Sequence, residues 1–242
     1  MYCQVICTVI VCAAMLAASP AGYGITLQPD ETASKDSFGY EFLATTNLNN
    51  PPFGALLPAG GTTTGHDSKS VIEFDLSSVS LTGSQVQSAS LDLFVVDATT
   101  SGFGVNPTPG SPLTVNLSPL TGSWDEATVD WSTIPTQGAV ETSQVISGHN
   151  LPVSFDVTNL VKLWLDGGLT NNGMILEADS PVGSSPNWVT AAFSSASGTG
   201  AAPALVITPV PEPSAVLLAL LGGAGAMWML RGRCRRRRLA DG

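Results

Sequence analysis

Ser88-Ala89-Ser90-Leu91-Asp92-Leu93-Phe94-Val95 alternates strictly between apolar and polar side chains over its first six residues. In an extended chain successive side chains point to opposite faces, so Ala89, Leu91, Leu93 and Val95 share one face and Ser88, Ser90 and Asp92 share the other. Such a stretch is a strand with one face in a core and one in water. Seven further strand signals recur between turn-rich segments: Ser70–Leu76, Leu113–Leu117, Thr142–Ile146, Val153–Val157, Gly173–Ala178, Val189–Phe193 and Ala204–Thr208. Eight short strands in this spacing predict an all-β fold, a single jelly-roll-like antiparallel β-sandwich. The segments Asn49–Pro58, Thr99–Pro112 and Asp179–Asn187 read as loops. One short helix is predicted over Thr158–Leu165, with Thr158 as its cap, Leu160, Leu163 and Trp164 turned inward, and Gly167 ending it.

Outside this middle the composition changes. The domain expected over residues 25–209 contains three lysines, Lys35, Lys69 and Lys162, against seventeen carboxylates, a balance of −14. All six arginines lie beyond it, within a tail of balance +4. An acidic domain repels nucleic acid and anionic lipid, so neither is an expected partner. Cys3, Cys7, Cys12 and Cys234 all lie outside the middle, which excludes a disulfide framework or a cysteine metal site there.

Both ends read as targeting segments. Val5–Ala18 is an apolar run broken only by Thr8 and followed by the small residues of Ser19–Gly24, so residues 1–24 are expected to be a cleaved signal peptide, a helix used by the Sec export machinery. At the other end Pro211-Glu212-Pro213 precedes the apolar stretch Ser214–Leu230, then Arg231, Arg233, Arg235, Arg236, Arg237 and Arg238. Seventeen helical residues span about 25 Å, near the thickness of a bilayer core. The basic cluster then stays cytoplasmic and the acidic domain is exported. The two prolines hold an extended segment just outside the bilayer.

The tail over residues 210–242 resembles the PEP-CTERM sorting signal of exopolysaccharide-producing bacteria. The resemblance implies recognition by an exosortase-type membrane protease and removal of the transmembrane helix, leaving the product in the cell envelope or extracellular. The middle resembles the DNRLRE domain family, related to carbohydrate-binding-module-like jelly rolls. That resemblance is carried by Asn50-Pro51-Pro52-Phe53-Gly54, Ser70-Val71-Ile72-Glu73-Phe74-Asp75-Leu76-Ser77, Gly122–Trp131, Phe155–Trp164 and Asn171–Leu176. The Arg-Glu element that closes the family pattern is replaced by Ser194-Ser195-Ala196-Ser197, so any role of that pair does not transfer.

Among functional candidates, Trp124, Trp131 and Trp164 neighbour residues that read as core, so packing accounts for them. Trp188 and Phe103 fall in loop context and are the aromatic faces better placed to stack on a sugar. Asp30, Asp36 and Asp156 are the carboxylates to consider for structural calcium, although turn capping also accounts for Asp156. His66 and His149 are isolated in polar loops, and no nucleophile motif such as Gly-x-Ser-x-Gly is present, so no catalytic triad is supported. Asn116-Leu117-Ser118 meets the N-glycosylation pattern. The reading is therefore a non-enzymatic envelope or extracellular-matrix protein, with a carbohydrate-binding module for exopolysaccharide or environmental glycan as the alternative.

Overall fold

The computed structural model describes residues 24–29, 34–49, 55–61, 65–101, 104–179, 183–184, 187–198 and 200–211. The expected leader, Asp30, Phe103 and everything from Glu212 onward, including the apolar stretch and the arginines, lie outside the described residues. Among the described residues no helix is long and apolar enough to cross a membrane.

The strands are β1 (Ile25–Leu27), β2 (Lys35–Tyr40), β3 (Leu56–Gly61), β4 (Ser68–Glu73), β5 (Val86–Val96), β6 (Leu113–Pro119), β7 (Thr142–Ile146), β8 (Leu151–Asp156), β9 (Met174–Ala178), β10 (Gly183–Ser184), β11 (Asn187–Ser194) and β12 (Ala204–Pro209). A single α-helix among the described residues, α1 (Thr158–Leu165), follows β8. All strand pairings are antiparallel, along the path β1-β12-β5-β11-β3-β4-β9-β6-β7, with β8 added to β5 and β2 to β4. The fold is thus all-β and sandwich-like, and Gly24–Pro209 forms one compact unit.

Strand β5 behaves as its alternation predicts: Ala89, Leu91, Leu93 and Val95 are buried, while Ser88 is exposed and Ser90 and Asp92 are partly so. They join Leu57, Ile72, Phe74, Phe155, Phe193 and Leu205 in the main core. Strand β4 is different, because neighbouring residues on it are both fully buried: Ile72 enters the main core and Val71 a second cluster with Leu120, Trp124, Val129 and Ile175. A continuous apolar run of this kind marks a strand covered on both faces. The cover is the connection between β6 and β7.

That connection is fastened to the sheet and its rim. Asn47 donates through Nδ2 to the carbonyls of Glu126 (2.8 Å) and Val129 (2.7 Å), and Ser132 donates its amide to the Ala44 carbonyl at 3.0 Å. Gly39 makes the approach possible, since a Cβ there would stand 2.7 Å from the Cα of Trp131 and 2.8 Å from its amide nitrogen. Backbone cannot yield as a flexible side chain can.

Four strands are not legible as such in the sequence. Strand β3, Leu-Leu-Pro-Ala-Gly-Gly, begins inside the segment read as a loop; its positive-φ Gly60 and Gly61 let the backbone pass close to β11 and to His66–Asp67. Hydroxyls of β4 complete the seam, with Ser70 Oγ donating to the Pro58 carbonyl and Ser68 Oγ to that of Gly60, both at 2.8 Å. Strand β2 is polar in sequence and becomes a strand by pairing with β4 over six residues. Strands β1 and β10 are too short to show a period. The helix has the predicted bounds but two different details. Asp156 Oδ1, rather than Thr158, caps the turn by accepting from the Thr158 amide (3.0 Å) and hydroxyl (2.6 Å), while Thr158 Oγ1 accepts from the Ala89 amide. Leu163 is half-exposed, and Val161 takes the inward place beside Leu160 and Trp164.

Substitution Gly39→Ala is expected to lower folding stability by roughly 2 kcal/mol, because a methyl group would be forced against main chain. Urea denaturation of the substituted and unsubstituted chains measures this; an unchanged midpoint would show that the connection does not rest on the sheet at Gly39.

Candidate functional site

The outer face of the sheet carries a row of polar side chains across four strands. Because Ser70 pairs with Leu176, Lys69 of β4 comes beside Glu177 of β9, which is opposite Asn116 of β6, itself opposite Ser143 of β7. Lys69 Nζ stands 2.9 Å from Glu177 Oε2, and Gln137 donates through Nε2 to Glu177 Oε1. Asn116 accepts from Ser143 Oγ at 2.6 Å and donates to Asp179 Oδ1 at 3.2 Å. Asn116 is therefore buried and bonded within the row rather than an open glycosylation acceptor.

Trp131 forms the wall above this row. Its loop is held by Asp130, whose Oδ1 accepts from Ser132 Oγ (2.7 Å), the Thr133 amide (2.9 Å) and Thr133 Oγ1 (2.9 Å). Burial acts to raise the Asp130 carboxyl pKa, but those hydrogen bonds outweigh it and leave the pKa below the ordinary value. Lys69 Nζ lies 5.1 Å from the centroid of the Trp131 ring, in cation–π range. Between them opens a cleft of about 460 Å³ lined by Lys69, Trp131, Ile134, Pro135, Thr136, Gln137 and Ile175. Its volume suits a small ligand or a segment of a longer one, and its lining joins an apolar wall to a few fixed polar groups.

A second lysine–tryptophan–glutamate trio on the same face clarifies the first. Lys35 Nζ sits 3.1 Å from Glu73 Oε2, donates to the Trp124 carbonyl at 2.6 Å and lies 4.6 Å from the Trp124 ring centroid. Trp124 is only 8% exposed, and its indole donates to the Asn172 carbonyl. That trio closes the connection onto the sheet. The Trp131 trio has the same chemistry but a half-buried ring beside an open cleft.

Core packing thus accounts for Trp124 and Trp164, each 8% exposed, but not for Trp131. Trp188 is not in a loop; it lies in β11, where it pairs with Gly183 of β10. Nor is His66 isolated, since its Nδ1 is 2.7 Å from the Tyr40 hydroxyl and its ring stacks on Phe42. The carboxylates Asp36 and Asp156 are held apart. Asp36 is buried in β2 and accepts from the Ala196 amide at 2.7 Å, whereas Asp156 caps α1 and stays below the ordinary carboxylate pKa through its bonds from Thr158. Among the described residues no group of three or more His, Cys, Asp or Glu side chains is placed to hold a metal ion.

Residues 54–209 match the family model of carbohydrate-binding module family 96. The chain belongs to that family. The match runs from the residues before β3 to the end of β12 and so includes Lys69, Trp131, Gln137 and Glu177, while β1 and β2 precede it. The match supports a carbohydrate-binding-like domain, as the sequence resemblance implied, and modules of this class are typically non-catalytic. No curated protein matches the chain.

Two carboxyls near or beneath the site resist ionisation. Burial pushes Asp36 up to about 6 against the Ala196 amide bond, with Glu126 reinforcing the rise. Burial likewise pushes Asp67 up to about 6; the Ser68 amide and Lys69 oppose it, while Glu41 and Glu177 add to it. Raised carboxyls favour the folded state when protonated, so their contribution is fully present below the ordinary value of 3.8 and is lost as pH rises through about 6. Asp97, Asp130 and Asp156 are lowered, and their contribution is lost as pH falls below that same value of 3.8. Thermal stability should therefore be highest near pH 4 and fall as pH rises from there through about 6. Asp36→Asn, which keeps an acceptor for Ala196, should stabilise the protein at pH 8 by about 1–2 kcal/mol and reduce its gain on going to pH 5. Melting temperatures across the pH range test this, and an Asp36→Asn curve parallel to that of the unsubstituted chain would contradict it.

Proposed function

We propose that this family 96 module binds polysaccharide in the Trp131 cleft. The observation that carries the reading is the half-buried Trp131 ring, flanked by Lys69 and facing the Lys69–Glu177–Gln137 group. A pyranose ring has an apolar C–H face that packs on an aromatic plane, and equatorial hydroxyls that need donors and acceptors at its edge. Trp131, Ile134 and Pro135 supply the first; Lys69, Gln137 and Glu177 supply the second. Both carboxylate oxygens of Glu177 are already engaged, by Lys69 and by Gln137, which suits a fixed recognition group better than a proton-transferring one. The role is binding rather than turnover.

The ends of the chain support a place for this binding. The leader over residues 1–24 suits Sec-dependent export, and Pro211-Glu212-Pro213 with the following apolar stretch and arginines suits a PEP-CTERM signal cut by an exosortase-type protease. In this reading the protein is first anchored in the inner membrane with its C-terminus cytoplasmic, then trimmed, and holds glycan in the envelope or outside the cell.

Trp131→Ala should weaken retention by polysaccharide at least tenfold, a loss of about 1.4 kcal/mol. Affinity electrophoresis against neutral and acidic polysaccharides measures it; the buried Trp124 and Trp164 stay in the substituted chain, so the loss is assigned to Trp131. Undiminished retention after Trp131→Ala would remove the cleft from the function. For the sorting reading, mature protein from native cells should lack residues 231–242 by mass spectrometry, and an intact arginine tail in the mature pool would contradict processing.

A further inference from the structure

Three residues beyond Gly39, the chain turns through Glu41–Leu43 and presents Phe42 to solvent with 66% of its surface exposed. It is the one aromatic residue among the large apolar side chains exposed in the described part of the chain. Phe42 is nevertheless fixed in orientation. Its ring stacks on His66 with centroids 5.2 Å apart and planes 14° from parallel, and it lies 6.3 Å from the Tyr40 ring. His66 is in turn held by the Tyr40 hydroxyl at 2.7 Å. An exposed ring backed on one face by a second, hydrogen-bonded ring is a preorganised platform, which costs little ordering when something packs on it.

The turn that carries Phe42 adjoins the Trp131 loop: Gly39 lies against Trp131, and Ser132 donates to Ala44. The Glu41 amide donates to the Asp67 carbonyl at 2.9 Å, and Asp67 stands within the electrostatic reach of both Lys69 and Glu177. Glu41 Oε2 in turn accepts from the Asp67 amide at 3.3 Å and Asp67 Oδ1 from the Ser68 amide at 2.9 Å, so the turn that carries Phe42 is tied to the strand that carries Lys69. Phe42 and Tyr40 precede residues 54–209 whereas His66 lies within them, so the exposed ring of this platform lies outside the family match and its backing ring inside it.

We infer that Phe42, backed by His66 and Tyr40, is a second sugar-stacking platform that extends the Trp131 cleft, so that a long glycan chain engages both rings and a short one engages Trp131 alone. The inference rests on the carbohydrate reading of the Trp131 cleft. Its test uses the full 242-residue chain, purified in detergent, with whichever of xylan, glucomannan, laminarin, polygalacturonate and alginate it retains best, cut to oligosaccharides of about three and about eight sugars. Isothermal titration should show Phe42→Ala weakening the longer oligosaccharide about tenfold while leaving the shorter one unchanged. His66→Ala should act in the same direction through loss of the backing ring, and Phe42→Trp should retain or tighten the longer one. Trp131→Ala should weaken both lengths. Equal affinities of Phe42→Ala and the unsubstituted chain for the longer oligosaccharide, or equal losses at both lengths, would overturn the second platform and leave the Trp131 cleft standing. Retention of none of the five polysaccharides would overturn the carbohydrate reading itself, and this inference with it.

Discussion

Val71 and Ile175 lie side by side on the outer face of the sheet, and both must be kept from water. Strands β4 and β9 already give Ile72, Met174 and Leu176 to the main core, so their other face needs a separate cover. The β6–β7 connection provides it through Leu120, Trp124 and Val129, each of which removes apolar surface from water at roughly 25 cal/mol per Å². The absence of a side chain at Gly39 sets how closely the cover can lie. Everything proposed about function depends on this layer, because the loop that seals Val71 also carries Trp131.

The layer explains why two similar lysine–tryptophan–glutamate groups differ in use. Lys35 bridges Glu73, the Trp124 ring and the Trp124 carbonyl, and so ties down the buried end of the connection. Lys69 bridges Glu177 and the Trp131 ring at the end where the cleft opens. The side chains of both ion pairs keep 16–29% of their surface exposed, and a Lys–Glu contact that still meets solvent contributes modestly to stability and more to fixing position. Position is what a recognition site requires.

Much of the scaffold is legible in the sequence and the site is not, for physical reasons. The period of two in Ser88–Val95 reports burial of one face directly, and the spacing of Leu160 and Trp164 reports a helix; both need only local information. Strands β2 and β3 are strands because of their partners: one is too polar and the other too rich in Pro and Gly to show a period. Trp131 reads as core because its neighbours in sequence read as core, and only the register that sets Lys69 beside Glu177 beneath it reveals a cleft. Phe42 gives no signal at all, since its platform depends on a distant histidine that the β2–β4 pairing brings close.

Trp131, rather than Trp124 or Trp164, is the tryptophan proposed to meet the ligand. Indole N–H resonances of the ¹⁵N-labelled protein, followed while a retained polysaccharide is titrated in, test this most directly. The Trp131 signal is expected to shift or broaden while those of Trp124, bonded to the Asn172 carbonyl, and the buried Trp164 stay in place. A stationary Trp131 signal during saturable binding would contradict it.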